Sequence, residues 1–286
     1  MKYNPALHNK SLLLKSLLGK TESLISNISA NRNDIIVLNY HGIQKPFVEN
    51  FEWQIKFLLQ HFDPITPSEF EKKTATPDKL KLGKSKFLLT FDDGILNNSN
   101  IIELLEKYSL KAYFFIIPGF VNAIDPKTFF IENIRPIINT NIDNEKEDFT
   151  PLTWPDLNKI VERGHFIGAH SFSHTMTNET TGVDLDLEII KAKQILEEQL
   201  NIPINTFCSI NNTLQSVNAE AALKIKENYK FHFTTIAGEN DPFLPFCIKR
   251  INVESHWNTG AFKYALGKWE QKRWKSKILK VNHLMK

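Results

Sequence analysis

The chain has 286 residues, of which 42% are hydrophobic and 23% charged, and its formal net charge is +3. This length can bury a full core as one large domain or two small ones, and so small a charge does not by itself indicate a nucleic-acid-binding protein. The two cysteines, Cys208 and Cys247, are too few for a disulfide framework, so we expect buried free thiols.

Residues 1–30 are predicted to form an amphipathic helix docked on the body of the protein, because leucine and isoleucine recur there at helical spacing. Lys15 interrupts the leucine-rich stretch and no small-residue cleavage site follows, so the pattern is not that of a secretory signal. No apolar run reaches the roughly 18 residues of a spanning helix. We therefore expect a cytoplasmic protein, either free or attached to the surface of the inner membrane.

Short apolar segments alternate with helical patterns through residues 31–258. The predicted strands are residues 34–40, 86–90, 112–117, 166–169, 206–210, 231–235 and 248–253. The predicted helices between them are residues 51–62, 101–108, 154–163, 184–199 and 219–226, with a shorter one capped by Thr66. This order is typical of a parallel sheet with helices outside it, and no linker or repeat divides it. We predict one α/β domain, a distorted (β/α) barrel of about seven parallel strands.

Two further predictions concern the outside of this barrel. Residues 121–150 are rich in Asn and acidic residues, and we expect an irregular insertion that shapes access to the barrel mouth. In the helix at 184–199, the side chains expected to face outward are those of Glu188, Lys191, Glu197 and Glu198.

Acidic and imidazole side chains follow two of the predicted strands. Asp92 and Asp93 come directly after the strand at 86–90, and His170 directly follows another, with His174 four residues later. The carboxyl ends of parallel strands form the active face of a βα barrel. One carboxylate and two imidazoles are three ligands for a divalent metal with an open position for water, and the other carboxylate is left to act as a base.

These motifs resemble those of the polysaccharide deacetylases that share the NodB homology domain, carbohydrate esterase family 4. Residues 90–94 (TFDDG) resemble the first motif of the family, and residues 170–174 (HSFSH) resemble the second. Residues 111–116 and 152–170 are similar to the strand and the helix–strand unit that accompany these motifs. The resemblance extends over residues 35–253, which is most of the chain.

The resemblance implies a metal-dependent deacetylase. In the family the first Asp of the motif is the base and the second is a ligand, so Asp92 would take a proton from water and Asp93, His170 and His174 would bind a divalent metal. Zinc is the preferred candidate, although imidazole ligands suit several divalent ions. The implied reaction removes N-acetyl groups from amino sugars of a bacterial surface polysaccharide or its precursor.

The proton donor for the leaving amine departs from the common pattern. Most of the family uses a late His in a Leu-x-His motif, but the last predicted strand contains no His. His41 resembles the Tyr-His at the first strand of poly-N-acetylglucosamine deacetylases, and it is our candidate general acid. A hydrogen-bonded structural role is the alternative for His41, and His256 and His283 are weaker candidate acids. Arg250 is predicted to orient Asp92, with a structural ion pair as the alternative.

The turn after the strand at 206–210 also departs from the family. Relatives often have a Tyr-Pro-Tyr-Gly-like turn, whereas residues 207–212 read FCSINN. The resemblance assigns substrate binding to this turn, here Ser209, Ile210 and Asn211, and Asn211 tolerates the positive φ that the turn needs. The altered turn keeps a catalytically silent carbohydrate-binding relative as the alternative, beside a deformylase acting on a formamido sugar.

Residues 259–286 are predicted to be a basic C-terminal helix or tail. From residue 263 onward, eight Lys and Arg residues stand against Glu270 alone, and Trp269 and Trp274 lie among them. This pattern favours contact with an anionic membrane surface. The alternatives are a solvated tail, a helix whose Trp residues pack on the barrel, or a membrane-attached scaffold. No nucleic-acid-recognition module is present in the sequence, so we expect a carbohydrate partner and no nucleic acid.

Overall fold

The computed structural model describes residues 13–16, 34–74, 84–134, 149–175, 183–211, 213–241, 243–267 and 274–284. Its strands are Ile35–Tyr40 (β1), Asp63–Pro64 (β2), Lys86–Phe91 (β3), Ala112–Ile116 (β4), Phe166–Ala169 (β5), Thr206–Cys208 (β6), Phe231–Phe233 (β7) and Arg250–Asn252 (β8). Its longer helices are Val48–His61, Pro67–Thr74, Trp154–Glu162, Ala192–Leu200, Ala219–Asn228, Thr259–Leu266 and Lys275–Leu284. The shorter helical segments are Lys45–Phe47, Leu96–Ile101, Ile102–Lys107, Pro118–Val121, Pro126–Phe129, Phe130–Ile134, Val183–Leu185, Asp186–Lys191 and Thr213–Ser216.

The strands form a nearly closed barrel. Their order is β7-β6-β5-β4-β3-β1-β8, with β2 pairing only with β3, and every pairing between them is parallel. A parallel bridge between Phe233 and Ile248 joins the two ends of this order. The predicted distorted (β/α) barrel of seven parallel strands is therefore confirmed, and β2 is a short extra strand that the sequence did not indicate.

The predicted helices and strands agree with the observed ones to within a few residues at their ends. Thr66 caps its helix as expected: its hydroxyl accepts a hydrogen bond from the Glu69 amide at 3.2 Å, and the Glu69 carboxylate accepts one from the Thr66 amide at 3.0 Å. Thr153 and Asp156 form the same reciprocal arrangement at the start of Trp154–Glu162. Both cysteines are buried free thiols, as predicted.

The pleat of the strands places an apolar layer below a polar one inside the barrel. All six residues of β1 are buried, as expected for a strand covered on both faces. Its alternate residues Ile35 and Val37 pack inside with Leu88 and Phe115. The next position on the same face is polar, since Asn39 lies opposite Thr90 in the register of β1 and β3. Polar side chains therefore occupy the carboxyl-terminal end of the barrel.

The insertion at 121–150 is more ordered than predicted. Pro126–Phe129 and Phe130–Ile134 are helical, and their side chains form a small apolar cluster with Phe120 and Phe149. The expectation of an irregular segment is therefore wrong for residues 126–134, because aromatic residues spaced along it bury one another. Residues 135–148 lie outside the described part of the chain.

The two terminal segments are described only in part. Residues 13–16 are helical, and the rest of the predicted helix at 1–30 lies outside the described residues. At the other end, Trp274 is half-buried against the main core beside the helix Lys275–Leu284, whereas Trp269 lies outside the described residues. This contact agrees with the alternative in which Trp packs on the barrel, and membrane contact stays a prediction. None of the described helices is long and apolar enough to span a membrane.

Asn240 links β1 to the start of β8 by side-chain hydrogen bonds. Its side-chain amide donates to the carbonyls of Ile35 and Lys249 at 2.9 Å each, and its side-chain oxygen accepts from the Lys249 amide at 2.8 Å. Its own backbone amide donates to the Asp34 carboxylate at 2.8 Å. One buried side chain thus makes hydrogen bonds to three backbone groups where β1 meets the start of β8.

We predict that Asn240→Ala lowers the free energy of unfolding by about 3 kcal/mol, because buried backbone groups lose their partners. Urea denaturation measures the change. Glu227→Ala, at an exposed site on Ala219–Asn228, is the control and should change stability by less than about 0.5 kcal/mol. Equal effects of the two substitutions would contradict the role of Asn240 in closing the barrel.

Candidate metal and active site

The predicted site residues converge at the carboxyl-terminal end of the barrel. Asp92 and Asp93 follow β3, His170 follows β5, and Arg250 lies on β8. All four are nearly inaccessible to solvent. Their strands are neighbours or near-neighbours in the sheet, so residues far apart in sequence meet at one edge.

Asp93, His170 and His174 form a buried three-residue cluster. The Oδ1 atom of Asp93 lies 3.4 Å from Nε2 of His170 and 3.5 Å from Nε2 of His174. Both carboxylate oxygens of Asp93 lack a hydrogen-bond donor among the described residues. A buried carboxylate in that condition is costly unless a cation compensates it.

Backbone carbonyls fix both imidazoles in the form that binds metals. Nδ1 of His170 lies 2.9 Å from the Cys208 carbonyl oxygen, and Nδ1 of His174 lies 2.9 Å from that of Asn133. A carbonyl only accepts, so each Nδ1 carries a proton, and the neutral form of each ring has its lone pair on Nε2, the atom nearest Asp93. Burial also lowers the pKa of His174 to about 4, which keeps that ring neutral near pH 7. One carboxylate oxygen and two imidazole nitrogens suit Zn²⁺ and several other divalent ions, so these residues fit a metal.

The backbone around the cluster is held in an uncommon conformation. Asp93, Ser171 and His174 have φ of 73°, 59° and 62°, in the left-handed region that L residues seldom occupy. Gly94 follows with φ 68°, which costs glycine little. Such conformations persist where surrounding contacts fix them, and they are frequent at functional sites.

Glu188 fixes the backbone of the loop that runs from His170 to His174. Its carboxylate accepts from the backbone amides of Phe172 at 3.0 Å and Ser173 at 2.9 Å, and from the Ser173 hydroxyl at 2.5 Å. Glu188 is buried within the π-helical stretch Asp186–Lys191. The expectation that Glu188 faces outward is therefore wrong: the wider π turn changes which side chains face the barrel, and a helical-wheel pattern of period 3.6 does not predict it.

Arg250 donates hydrogen bonds to both carboxylate oxygens of Asp92. Its Nη1 lies 2.7 Å from Oδ1 and its Nη2 lies 2.8 Å from Oδ2, a bidentate pair fully inside the protein. Burial, the largest single effect, raises the pKa of Asp92, but the charge and hydrogen bonds of Arg250 together with the nearby His170 and His41 outweigh it, so the pKa lies below its usual value. Asp92 is therefore ionised at any pH at which neutral imidazoles can bind a metal.

His41 faces this cluster from the end of β1. Its Nδ1 lies 3.9 Å from Oε1 of Glu254, and 19% of its side chain is accessible, more than any member of the buried cluster. A proton on its ring would lower the pKa of both Asp92 and Asp93. The weaker candidate His283 is exposed on the last helix, and His256 contacts the ring of Phe47 at 5.8 Å.

The altered turn after β6 contains one residue with positive φ. Asn211 has φ 46°, as its tolerance of positive φ allows, and Ser209 and Ile210 are buried. The Ser209 amide donates to the Phe233 carbonyl at 3.1 Å, and its hydroxyl pairs with that of Thr213 at 2.8 Å. Both polar groups of Ser209 are thus engaged within the protein, so an amide offered to an acyl oxygen by this turn must come from a later residue.

We predict that Asp93→Asn weakens Zn²⁺ binding by at least about tenfold, because it removes the anionic ligand while tolerating the left-handed backbone. Equilibrium dialysis with metal analysis measures the affinity. Asp186→Asn, at an exposed carboxylate that pairs with Lys224, is the control and should bind metal as the unmodified protein does. Unchanged affinity in Asp93→Asn would remove Asp93 from the ligand set.

Several solved structures share the fold of this chain. The fold is similar to Streptococcus pyogenes deacetylase PplD in complex with acetate (TM-score 0.61, 17% identity, 82% of this chain and 98% of that one). It is equally similar to IcaB from Ammonifex degensii (TM-score 0.61, 18% identity, 84% and 98%) and also resembles the BpsB deacetylase domain from Bordetella bronchiseptica (TM-score 0.56, 15% identity, 79% and 98%). At these identities the likeness establishes the fold alone.

Sequence comparison identifies the family. No curated protein sequence matches the chain. The family model described as polysaccharide deacetylase matches residues 79–228, which is more than half of the 286 residues and includes both metal-site motifs. The chain belongs to the polysaccharide deacetylase family.

Proposed function

We propose that the protein is a metal-dependent hydrolase that removes N-acetyl groups from amino sugars of a bacterial surface polysaccharide or its precursor. The observation that carries this proposal is the difference between the adjacent carboxylates: Arg250 binds Asp92, whereas Asp93 lies 3.4 Å and 3.5 Å from the Nε2 atoms of two imidazoles. A solved neighbour described as a de-N-acetylase from Aggregatibacter actinomycetemcomitans has the same fold (TM-score 0.54, 12% identity), which is compatible with an N-acetyl substrate.

Asp93, His170 and His174 would hold the metal. A bound divalent ion would supply Lewis acidity, which polarises the acyl oxygen and eases the deprotonation of water. The protein contributes the geometry of the ligands through the carbonyls of Cys208 and Asn133. It also excludes solvent from the ligands, which strengthens every charge interaction in the site.

Asp92 and His41 each carry out one of the two proton transfers of the reaction. Asp92 takes a proton from the attacking water, and its ion pair with Arg250 keeps it ready to accept one. His41 gives a proton to the departing amine, since an amine anion is too poor a leaving group to depart unprotonated. Amides of the turn at Ile210 and Asn211 support the acyl group as it becomes tetrahedral.

Acetate release tests the proposal. The substrates are N-acetylglucosamine oligomers and UDP-linked N-acetyl sugars, with N-formyl analogues beside them, assayed with zinc, with cobalt and with EDTA. We expect acetate that depends on added metal. Formate from the N-formyl sugars alone would point to the deformylase, and no product despite bound metal would point to the silent carbohydrate-binding relative.

We predict that Asp92→Asn retains metal yet loses at least about 10²-fold in turnover, because the amide cannot take a proton. A thermal melt checks that the Arg250 charge, left with a neutral partner, has not unfolded the protein. A folded variant with unchanged turnover would remove Asp92 as the base.

We predict that His41→Ala loses about 10²- to 10⁴-fold in rate on the N-acetyl sugar. On p-nitrophenyl acetate, whose leaving group needs no proton, it should lose less than about tenfold, because the metal and Asp92 remain. His283→Ala is the control, since His283 is exposed on the last helix. A loss of less than threefold on the sugar would contradict the role of His41 and direct attention to His256.

A further inference from the structure

Two of the three candidate metal ligands, His170 and His174, lie at the two ends of the loop 170–174. Ser171 and His174 have positive φ in this loop, a conformation that L residues keep only where other contacts fix it. The Ser171 hydroxyl accepts a hydrogen bond from the His174 amide at 3.0 Å, but that contact lies within the loop. The position of the loop relative to Asp93 therefore depends on contacts with other elements.

The buried carboxylate of Glu188 provides the first of these contacts. Its Oε2 accepts from the backbone amides of Phe172 at 3.0 Å and Ser173 at 2.9 Å, and its Oε1 accepts from the Ser173 hydroxyl at 2.5 Å. A hydroxyl has one proton to give, so the Thr175 hydroxyl, 2.7 Å away, donates to the Ser173 oxygen. Both oxygens of one carboxylate thus hold two consecutive residues of the loop.

Gly119, in the helical segment Pro118–Val121, provides the second contact. Its amide donates to the Phe172 carbonyl oxygen at 2.9 Å. A Cβ atom at this position would lie 2.5 Å from the same oxygen, which is closer than such atoms approach in proteins. Both backbone polar groups of Phe172 are therefore fixed from outside the loop, the amide by Glu188 and the carbonyl by a residue that has to be glycine.

We propose that Glu188, together with Gly119, is a positioning residue that holds the loop 170–174 in its metal-binding conformation before a metal ion arrives. A loop that visits other conformations lowers the apparent metal affinity in proportion to the time it spends in them. Hydrogen bonds to the loop backbone reduce that loss without touching the ion. The inference rests on the metal site of the proposed function, and it gives the π-helical stretch Asp186–Lys191 the role of directing Glu188 at the loop.

Two substitutions of Glu188 separate its hydrogen bonds from its charge. Glu188→Ala removes every acceptor and should weaken Zn²⁺ binding by about 10- to 100-fold, as is usual when a partner behind the metal ligands is lost. In Glu188→Gln the side-chain oxygen can still accept from both backbone amides, and the new amide group can donate to Ser173, whose proton then turns to Thr175. This variant should lose less than about threefold in affinity, because the loop stays fixed.

Gly119→Ala tests the claim from a second element and does not depend on whether Glu188→Ala folds. Alanine favours a helix more than glycine does, so the segment should keep its structure. The new Cβ should displace the Phe172 carbonyl and weaken Zn²⁺ binding by about tenfold. Glu198→Ala, at an exposed carboxylate on Ala192–Leu200, is the control and should bind zinc as the unmodified protein does. Competition with a chromophoric chelator measures the affinities, and thermal melts verify folding.

Amide hydrogen exchange in the metal-free protein tests the claim without metal or substrate. The amides of Phe172 and Ser173 should be protected before zinc is added, because the Glu188 carboxylate already binds them. In Glu188→Ala these two amides should exchange at least about tenfold faster, whereas amides within β5 should keep their protection. A merely structural role would instead raise exchange in the loop and the strand together.

Two results would overturn the proposal. One is unchanged zinc affinity or unchanged protection of Phe172 and Ser173 in folded Glu188→Ala. The other is an equal loss of affinity in Glu188→Gln and Glu188→Ala, since the charge rather than the position of the loop would then decide binding. An unmodified protein that binds no zinc, yet shows the expected exchange pattern, would reject the proposed function and leave the role of Glu188 in fixing the loop supported.

Discussion

The buried ion pair between Arg250 and Asp92 determines how the two adjacent carboxylates of the site differ. Two neighbouring aspartates have the same side-chain chemistry, so their surroundings must make them differ. Arg250 takes both oxygens of Asp92, whereas both oxygens of Asp93 lack a hydrogen-bond donor among the described residues. The pair stabilises the ionised form of Asp92, and removing either partner would leave a buried charge uncompensated. The same guanidinium also donates to the side-chain oxygen of Asn39.

The ion pair also discriminates between two potential metal sites. Asp92, His170 and Cys208 are close enough to form a second cluster, in which the Cys208 sulfur lies 3.9 Å from each Asp92 oxygen. In that cluster the carboxylate is already occupied by a cation, and burial raises the pKa of Cys208, which disfavours the thiolate that a metal needs. Asp93, His170 and His174 have neither obstacle. The structure therefore favours this cluster as the metal site.

Sequence patterns predicted the strands, because buried apolar runs between helical segments indicate a parallel sheet. They also predicted that the motifs at 90–94 and 170–174 meet, since both follow strands of that sheet. They did not predict Glu188, because a π-helical stretch changes its direction. Nor did they predict the Asn133 carbonyl behind His174, since a backbone group carries no residue signature. The hydrogen bond from Asn39 to Asn252 joins residues 213 positions apart, and only the folded barrel brings them together.

The segment at 207–211, where the sequence departs from the family pattern, contributes two backbone features beside the site. The contact that this segment makes with His170 comes from the Cys208 backbone carbonyl, which any residue at that position provides. The positive φ that the turn needs is supplied by Asn211. Under the proposed function the changed side chains would lie beside the acyl group, so an altered acyl or sugar preference is the consequence to expect.

X-ray absorption spectroscopy of the zinc-loaded protein tests the central claim most directly. The account predicts a first shell of nitrogen and oxygen only, at about 2.0–2.2 Å, with the multiple scattering of two imidazoles. A sulfur scatterer at about 2.3 Å would place the metal at Asp92, His170 and Cys208 instead. That result would contradict the assignment of Asp93 as ligand and Asp92 as base.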